Sequence, residues 1–252
     1  GGLMLTAKSH ILIEPESGLI LLDHNSHERL QVGSVNQIMN LLLIFEALES
    51  KKISLDDILT ASKQASSTGG SQIYLETGEQ QSAETLINSM VMIGANDSAV
   101  AMAEHIAGSE AAFVTLMNQK AEGLGLEDTH FINVTGLNAD GQYTSAYDMA
   151  IVTRELTLKH PQILEFASIK ETVLQKSVAK EVPFRLINTN KLLESYPGST
   201  GLKTGFTSNT GFCIVGTAER SGFQLVSVIL GASESEVRYS EATSLFDYGF
   251  GS

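Results

Sequence analysis

Residues 33–37 read Gly33-Ser34-Val35-Asn36-Gln37 and lead into Ile38-Met39-Asn40-Leu41-Leu42-Leu43-Ile44-Phe45, ending near Ser50. Ile38, Leu41, Leu42, Phe45 and Leu48 fall at helical spacing. Leu43 and Ile44 fill the remaining side, so a helix over 34–50 is apolar nearly all round. A helix of that kind is buried inside a larger core. The rest of the chain must therefore wrap it.

Outward from that helix, the flanks supply the wrapping. On the N-terminal side, residues 9–14 and 19–23 are apolar runs around Pro15-Glu16-Ser17-Gly18, which predicts a β-hairpin. On the C-terminal side, residues 212–219 and 223–232 are rich in β-branched residues and flank Arg220-Ser221-Gly222, a second hairpin. A short strand is expected over 201–205 and a closing helix over 236–248. Between the two ends the pattern is helical. Ser82 starts a helix through Ile93, Asn96 is read as the cap of the next over 97–107, and Ser109 opens a third that ends near Gly123. Residues 128–143 read as loop. Residues 147–160 form an amphipathic helix stopped by Pro161. Strands from both ends around a helical middle predict one antiparallel sheet flanked by helices, an α+β (mixed α/β) class rather than alternating βαβ units. Residues 1–252 read as a single domain, with a helical subdomain over about 50–147.

Composition narrows the function classes. With 16 Lys+Arg against 29 Asp+Glu the net charge is -13, which disfavours nucleic acid and anionic lipid as partners. A hydrophobic content of 42% over 252 residues is enough for a real core. The lone cysteine, Cys213, permits no intrachain disulfide and sits in an apolar run expected to be a core strand. No apolar run reaches the roughly 18–20 residues of a membrane span. No signal peptide is read at the N-terminus. His10, His24, His27, His105, His130 and His160 lack metal-ligand spacing, and no phosphate loop or dinucleotide fingerprint occurs. No cofactor is expected.

Three short stretches carry chemistry together: Gly33 to Gln37, then Gly94-Ala95-Asn96-Asp97, then Lys203-Thr204-Gly205. By residue type alone, Ser34 reads as a helix N-cap, Lys203 as a strand-edge lysine and Arg238 as a surface arginine at a helix start. In order and spacing the stretches resemble the S-x-x-K, S-x-N and K-T-G triplet of penicillin-binding proteins and serine β-lactamases. Further segments extend the likeness over nearly the whole chain. They include His27-Glu28-Arg29-Leu30, Gly69-Gly70-Ser71-Gln72, Thr135-Gly136-Leu137, Thr144 to Asp148, Asn188-Thr189-Asn190 and Asp247-Tyr248-Gly249-Phe250. On these the chain resembles the serine D-alanyl-D-alanine carboxypeptidases, low-molecular-mass penicillin-binding proteins, and most those of spore-forming Gram-positive bacteria.

The resemblance implies a β-lactamase/transpeptidase-like fold and a site containing Ser34, Gln37, Asn96 and Lys203. Gly94, Thr204, Gly205, Phe206 and Arg238 would bind substrate, with Arg238 near its carboxylate. It implies an acyl-enzyme on Ser34 and an oxyanion hole from the backbone N–H groups of Ser34 and Phe206. The implied ligand is a peptidoglycan stem peptide or a β-lactam, on the cell-wall side of a bacterial membrane. Any membrane attachment would need an anchor that this chain does not contain.

Two positions depart from the resemblance. Gln37 stands where the triplet has Lys, and Gly94 where it has Ser. A carboxamide is never a base near neutral pH. Lys51 and Lys52, ~20 Å along the helix at 1.5 Å per residue, cannot replace it. Turnover is therefore expected to be very low, and a pseudoenzyme that binds peptidoglycan or a protein partner is the alternative. A class A β-lactamase is the weaker third reading, because no separate acidic deacylation motif is found. Restoring Lys at 37 and Ser at 94 is expected to recover acylation, with Lys the larger contributor.

Overall fold

Alternation along the C-terminal strands builds the centre of the molecule. The computed structural model describes residues 3–176 and 184–251. In chain order the elements are β1 (Ser9–Glu14), β2 (Leu19–His24), a 3-10 turn (Gly33–Asn36), α1 (Gln37–Glu49), β3 (Ile58–Thr60), α2 (Lys63–Ser66) and β4 (Gln80–Ser82). They continue with α3 (Ala83–Ile93), α4 (Asn96–Ala107), α5 (Glu110–Gly123), α6 (Ala146–Lys159), α7 (Ile163–Ala167), β5 (Glu171–Leu174) and β6 (Phe184–Ile187). The chain ends with α8 (Leu192–Ser195), β7 (Ser199–Thr207), β8 (Gly211–Arg220), β9 (Phe223–Ala232) and α9 (Ser235–Phe250).

The main sheet runs β2-β1-β9-β8-β7, every neighbour antiparallel. It joins the two predicted hairpins through β1 and β9, with Ile11 opposite Val228. Successive side chains point to opposite faces of a strand. One face therefore collects Ile11, Ile13, Cys213, Val215, Val226 and Val228, and packs on α1 and the other helices. The other collects Leu12, Ile214, Ala218, Leu225 and Ile229, which α9 covers with Tyr239, Ala242, Leu245 and Phe246. Each fully buried side chain of this size contributes roughly 1.5–3 kcal/mol. Strand β7, which carries Lys203, is the sheet edge, and Lys203 pairs with Val215.

Helix α1 is buried along most of its length, from Gln37 through Phe45, as its all-round apolarity requires. Its start differs from the sequence expectation of one helix over 34–50. Ser34 lies in the 3-10 turn, and the α-helix begins at Gln37. Gly33 is the reason. Its φ is +62°, and a methyl there would come within 2.6 Å of Phe206 O and 2.8 Å of Phe206 N. The chain can turn against β7 only because this residue has no side chain.

The expected caps Ser82 and Ser109 accept from Thr85 N and Ala112 N, as their helices need. Asn96 does not cap. It is the first residue of α4, Ala95 holds the cap position, and the Asn96 side chain is used elsewhere. Strand β7 is longer than expected, because pairing with β8 extends it on both sides of 201–205. The antiparallel pairs β3–β4 and β5–β6 were not expected from the sequence. Gln80-Gln81-Ser82 offers no apolar alternation to read.

Candidate active site

The three stretches meet at one cleft of about 550 Å³. Ser34 reaches it from the 3-10 turn, Gly94 and Asn96 from the α3–α4 junction, and Thr204 to Phe206 from β7. Gly70, Thr135, Leu137 and Arg238 form further walls. Gln37 and Lys203 lie behind this surface, 0% and 2% exposed.

Ser34 Oγ donates to Thr204 O at 3.0 Å and accepts from Lys203 Nζ at 3.3 Å. Lys203 has no salt bridge among the described residues. Burial alone lowers its pKa from 10.5 to about 7, because an ammonium taken out of water is disfavoured against the neutral amine.

Gln37 projects from the first turn of α1 into a cluster of acceptors. Its Nε2 donates toward Gly94 O at 3.2 Å, Asn96 Oδ1 at 3.2 Å and Thr135 O at 3.0 Å. Three acceptors around one amide nitrogen fix its orientation, since the flipped amide would set oxygen against oxygen. Its Oε1 is buried and has no partner among the described residues. Asn96 completes the junction. Its Nδ2 donates to Gly69 O at 2.8 Å, and its backbone N–H donates to Ser71 O at 2.7 Å, so it ties the cleft wall to α4.

Gly94 ends α3 in the left-handed conformation, φ +67°. A Cβ built there would lie 2.5 Å from Ser34 Oγ, 2.7 Å from Ser34 Cβ and 3.0 Å from Lys203 Nζ. Position 94 therefore does not simply await a serine. A side chain at 94 would require Ser34 to shift, and Lys203 Nζ to give by a few tenths of an ångström. The expectation that Ser at 94 adds to recovery meets this obstacle.

Arg238, near the start of α9, donates to Gly205 O at 3.2 Å, to Ser235 Oγ at 3.2 Å and to Tyr239 OH at 3.0 Å. Its guanidinium also lies 5.2 Å from the Phe212 ring centroid. Phe206, half exposed at the cleft mouth, packs on Phe212 with 4.5 Å between ring centroids. The backbone of Phe206 lies against Gly33, next to the Ser34 amide.

All nine expected site residues thus converge on or behind the cleft. The site-residue reading from sequence missed Thr189, whose hydroxyl lies 2.6 Å from Thr204 Oγ1 and whose carbonyl accepts from Tyr239 OH at 2.6 Å. It also missed the Thr135 carbonyl on Gln37. Both residues stand in segments that carry the family resemblance, which was the available signal. A backbone carbonyl's partner is invisible to residue type.

The fold defines the class: a mixed α/β penicillin-binding, β-lactamase-like transpeptidase architecture. Within it, the chain belongs to the D-alanyl-D-alanine carboxypeptidase family (peptidase S11), whose description matches residues 3–234. It is 43% identical over 244 residues to the D-alanyl-D-alanine carboxypeptidase DacF of Bacillus subtilis, covering 97% of this chain and 62% of that protein. The chain thus spans about three-fifths of that relative's length. Among solved structures it resembles the D-alanyl-D-alanine carboxypeptidase DacD of Francisella tularensis, with TM-score 0.94 and 28% identity over 99% of this chain and 71% of that one. It also resembles penicillin-binding protein D2 of Listeria monocytogenes in its ampicillin-bound form, with TM-score 0.87 and 29% identity over 99% of each chain.

Proposed function

We propose that residues 1–252 form one catalytic unit that binds D-Ala-D-Ala-terminated stem peptides and β-lactams and is acylated on Ser34, with very low turnover. The observation that carries this is the convergence of Ser34, Lys203, the Thr204–Phe206 edge and Arg238 on one cleft. An open strand edge accepts a peptide by main-chain hydrogen bonds. Arg238 beside Gly205 suits the substrate carboxylate. The amides of Ser34 and Phe206, close together across Gly33, suit the oxyanion. The peptidoglycan substrate of the family and the ampicillin-bound Listeria structure support these ligand classes and an extracytoplasmic place of action. No helix among the described residues is long and apolar enough to cross a membrane.

Low turnover follows from Gln37 and Gly94, read as replacements of a lysine and a serine. A positioned base contributes about 10²–10⁴-fold in rate. Gln37 supplies none, and Gly94 brings no hydroxyl to pass a proton to the leaving nitrogen. The second reading, binding without acylation, draws on the same Gln37. Its amide already engages Gly94, Asn96 and Thr135, which stiffens the cleft as a receptor. Intact-mass measurement after incubation with a penicillin separates the two. The expected result is slow growth of one adduct, absent from Ser34→Ala. Saturable ligand binding with no adduct at any time would favour the pure binder.

A further inference from the structure

Gln37 leaves Ser34 without the base that the family resemblance implies, yet one amine touches the hydroxyl. Lys203 Nζ is 3.3 Å from Ser34 Oγ, inside a site where Lys203 is 2% exposed and has no salt bridge among the described residues. The contact is made in space that a side chain at Gly94 would crowd. A Cβ there would lie 2.5 Å from Oγ and 3.0 Å from Nζ, in the space the pair now shares. The two departures from the triplet are therefore linked: one removes a base, and the other lets a different amine reach the nucleophile.

We propose that Lys203 is the general base for Ser34, taking the hydroxyl proton as Oγ attacks and returning it to the departing nitrogen. This rests on the proposed acylation at Ser34. In the resting arrangement the hydroxyl donates to Thr204 O. Rotation about Cβ–Oγ turns the proton toward the Nζ lone pair. The Oγ–C bond forms, the proton passes to Nζ, the C–N bond of the amide or β-lactam breaks, and the nitrogen takes the proton from Nζ. The products are a serine ester and an amine, the lysine ends neutral, and no further reactant is needed.

The surroundings of Lys203 suit this role. Burial brings its pKa to about 7, so a large fraction is neutral at physiological pH. The carboxylates on elements packed against β7 are Glu84 of α3, Glu165 of α7, Glu194 of α8 and Glu219 of β8, and all are exposed. Cys213 of β8, with a thiol pushed up to about 11, stays neutral. Arg220, at the far end of β8, stacks on Tyr196 and Phe250. Arg238 of α9 is engaged with Gly205 O and Tyr239.

The test is the acylation rate with a fluorescent penicillin from pH 5.5 to 9.5, for the parent, Lys203→Arg and Lys203→Gln. The parent rate should rise about tenfold per pH unit below roughly pH 7 and level off above it. Lys203→Arg keeps a cation for a ligand carboxylate but cannot give up its proton. It should lose roughly 100-fold or more, as should Lys203→Gln. A flat parent profile, or Lys203→Arg reacting within a few-fold of the parent, overturns the base assignment and leaves acylation at Ser34 standing. The parent profile needs no variant to fold, so a misfolded variant does not remove the test. No adduct on the parent at any pH overturns the proposed function, and the base assignment with it.

Discussion

Gln37 places one amide nitrogen among three acceptors, Gly94 O, Asn96 Oδ1 and Thr135 O, while its own oxygen is buried without a partner among the described residues. An ammonium has three donors and no acceptor, so it matches that cluster better than the carboxamide does. Gln37→Lys is therefore expected to fold and to raise acylation by about 10²-fold. That is the low end for a positioned base, because Lys203 already contacts the hydroxyl. Rates of penicillin adduct formation check this; a variant no faster than the parent would mean the cleft does not use a base at 37. Gly94→Ser should behave oppositely. Its left-handed backbone costs about 1–3 kcal/mol for a side-chain-bearing residue, and its Cβ collides with Ser34. Thermal melting should show the loss, and acylation should fall rather than recover. In the double variant the serine should offset part of the gain from lysine.

Asp97 shows how an element holds the site. It is fully buried at the start of α4, and its carboxylate accepts from Ile73 N at 3.1 Å, Leu75 N at 2.9 Å and Ser98 N at 3.0 Å. With Asn96 on Gly69 O, it fastens segment 69–75 to the helix, and that segment supplies the Gly70 and Ser71 wall of the cleft. Asp97→Ala leaves buried N–H groups unpaired, each worth about 1–3 kcal/mol. The expected outcome is a melting temperature lower by several degrees and slower acylation together. Unchanged melting would show that the segment holds without the carboxylate. Elements of this size were partly legible beforehand. The strands of the main sheet alternate or run apolar, and Ser82 and Ser109 announce their helices. The pairing β3–β4 was not legible, because Thr60, Gln80 and Gln81 carry no periodic signal and tertiary contact holds them extended.

For the whole molecule, burying Lys203 sets a dependence of stability on pH. Its pKa is about 7 in the folded chain against an ordinary 10.5. Between those values the unfolded chain holds a proton that the folded chain has lost. Stability therefore rises with pH across that window, by about 1.4 kcal/mol per pH unit for this group at most. Below pH 7 both states are protonated, and the full penalty applies. Lys203→Met removes it. Denaturant unfolding should find the variant more stable than the parent at pH 6, by on the order of a few kcal/mol. The gap should narrow steadily toward pH 10. A gap that does not change with pH would show that Lys203 is solvated in the folded chain.

The order of residues alone sets the layers of this protein. Strand alternation, serine caps and the all-round apolar run at 38–48 are properties of near neighbours, and they dictate a sheet from both ends closed over a buried helix. It also determined the family, through segments spread along the chain, and the side chains that meet in the cleft. Tertiary structure alone decided what those side chains are to one another. Ser34 and Lys203 stand 169 residues apart in sequence and 3.3 Å apart in space. Whether a lysine is an anion clamp or a base turns on its exposure and on what reaches its nitrogen. Those are set by the packing of the 3-10 turn, the α3–α4 junction and β7 together: Gly33 against Phe206, and Gly94 beside Ser34. Residue type records none of this, because desolvation and distance belong to the assembled core and not to the chain.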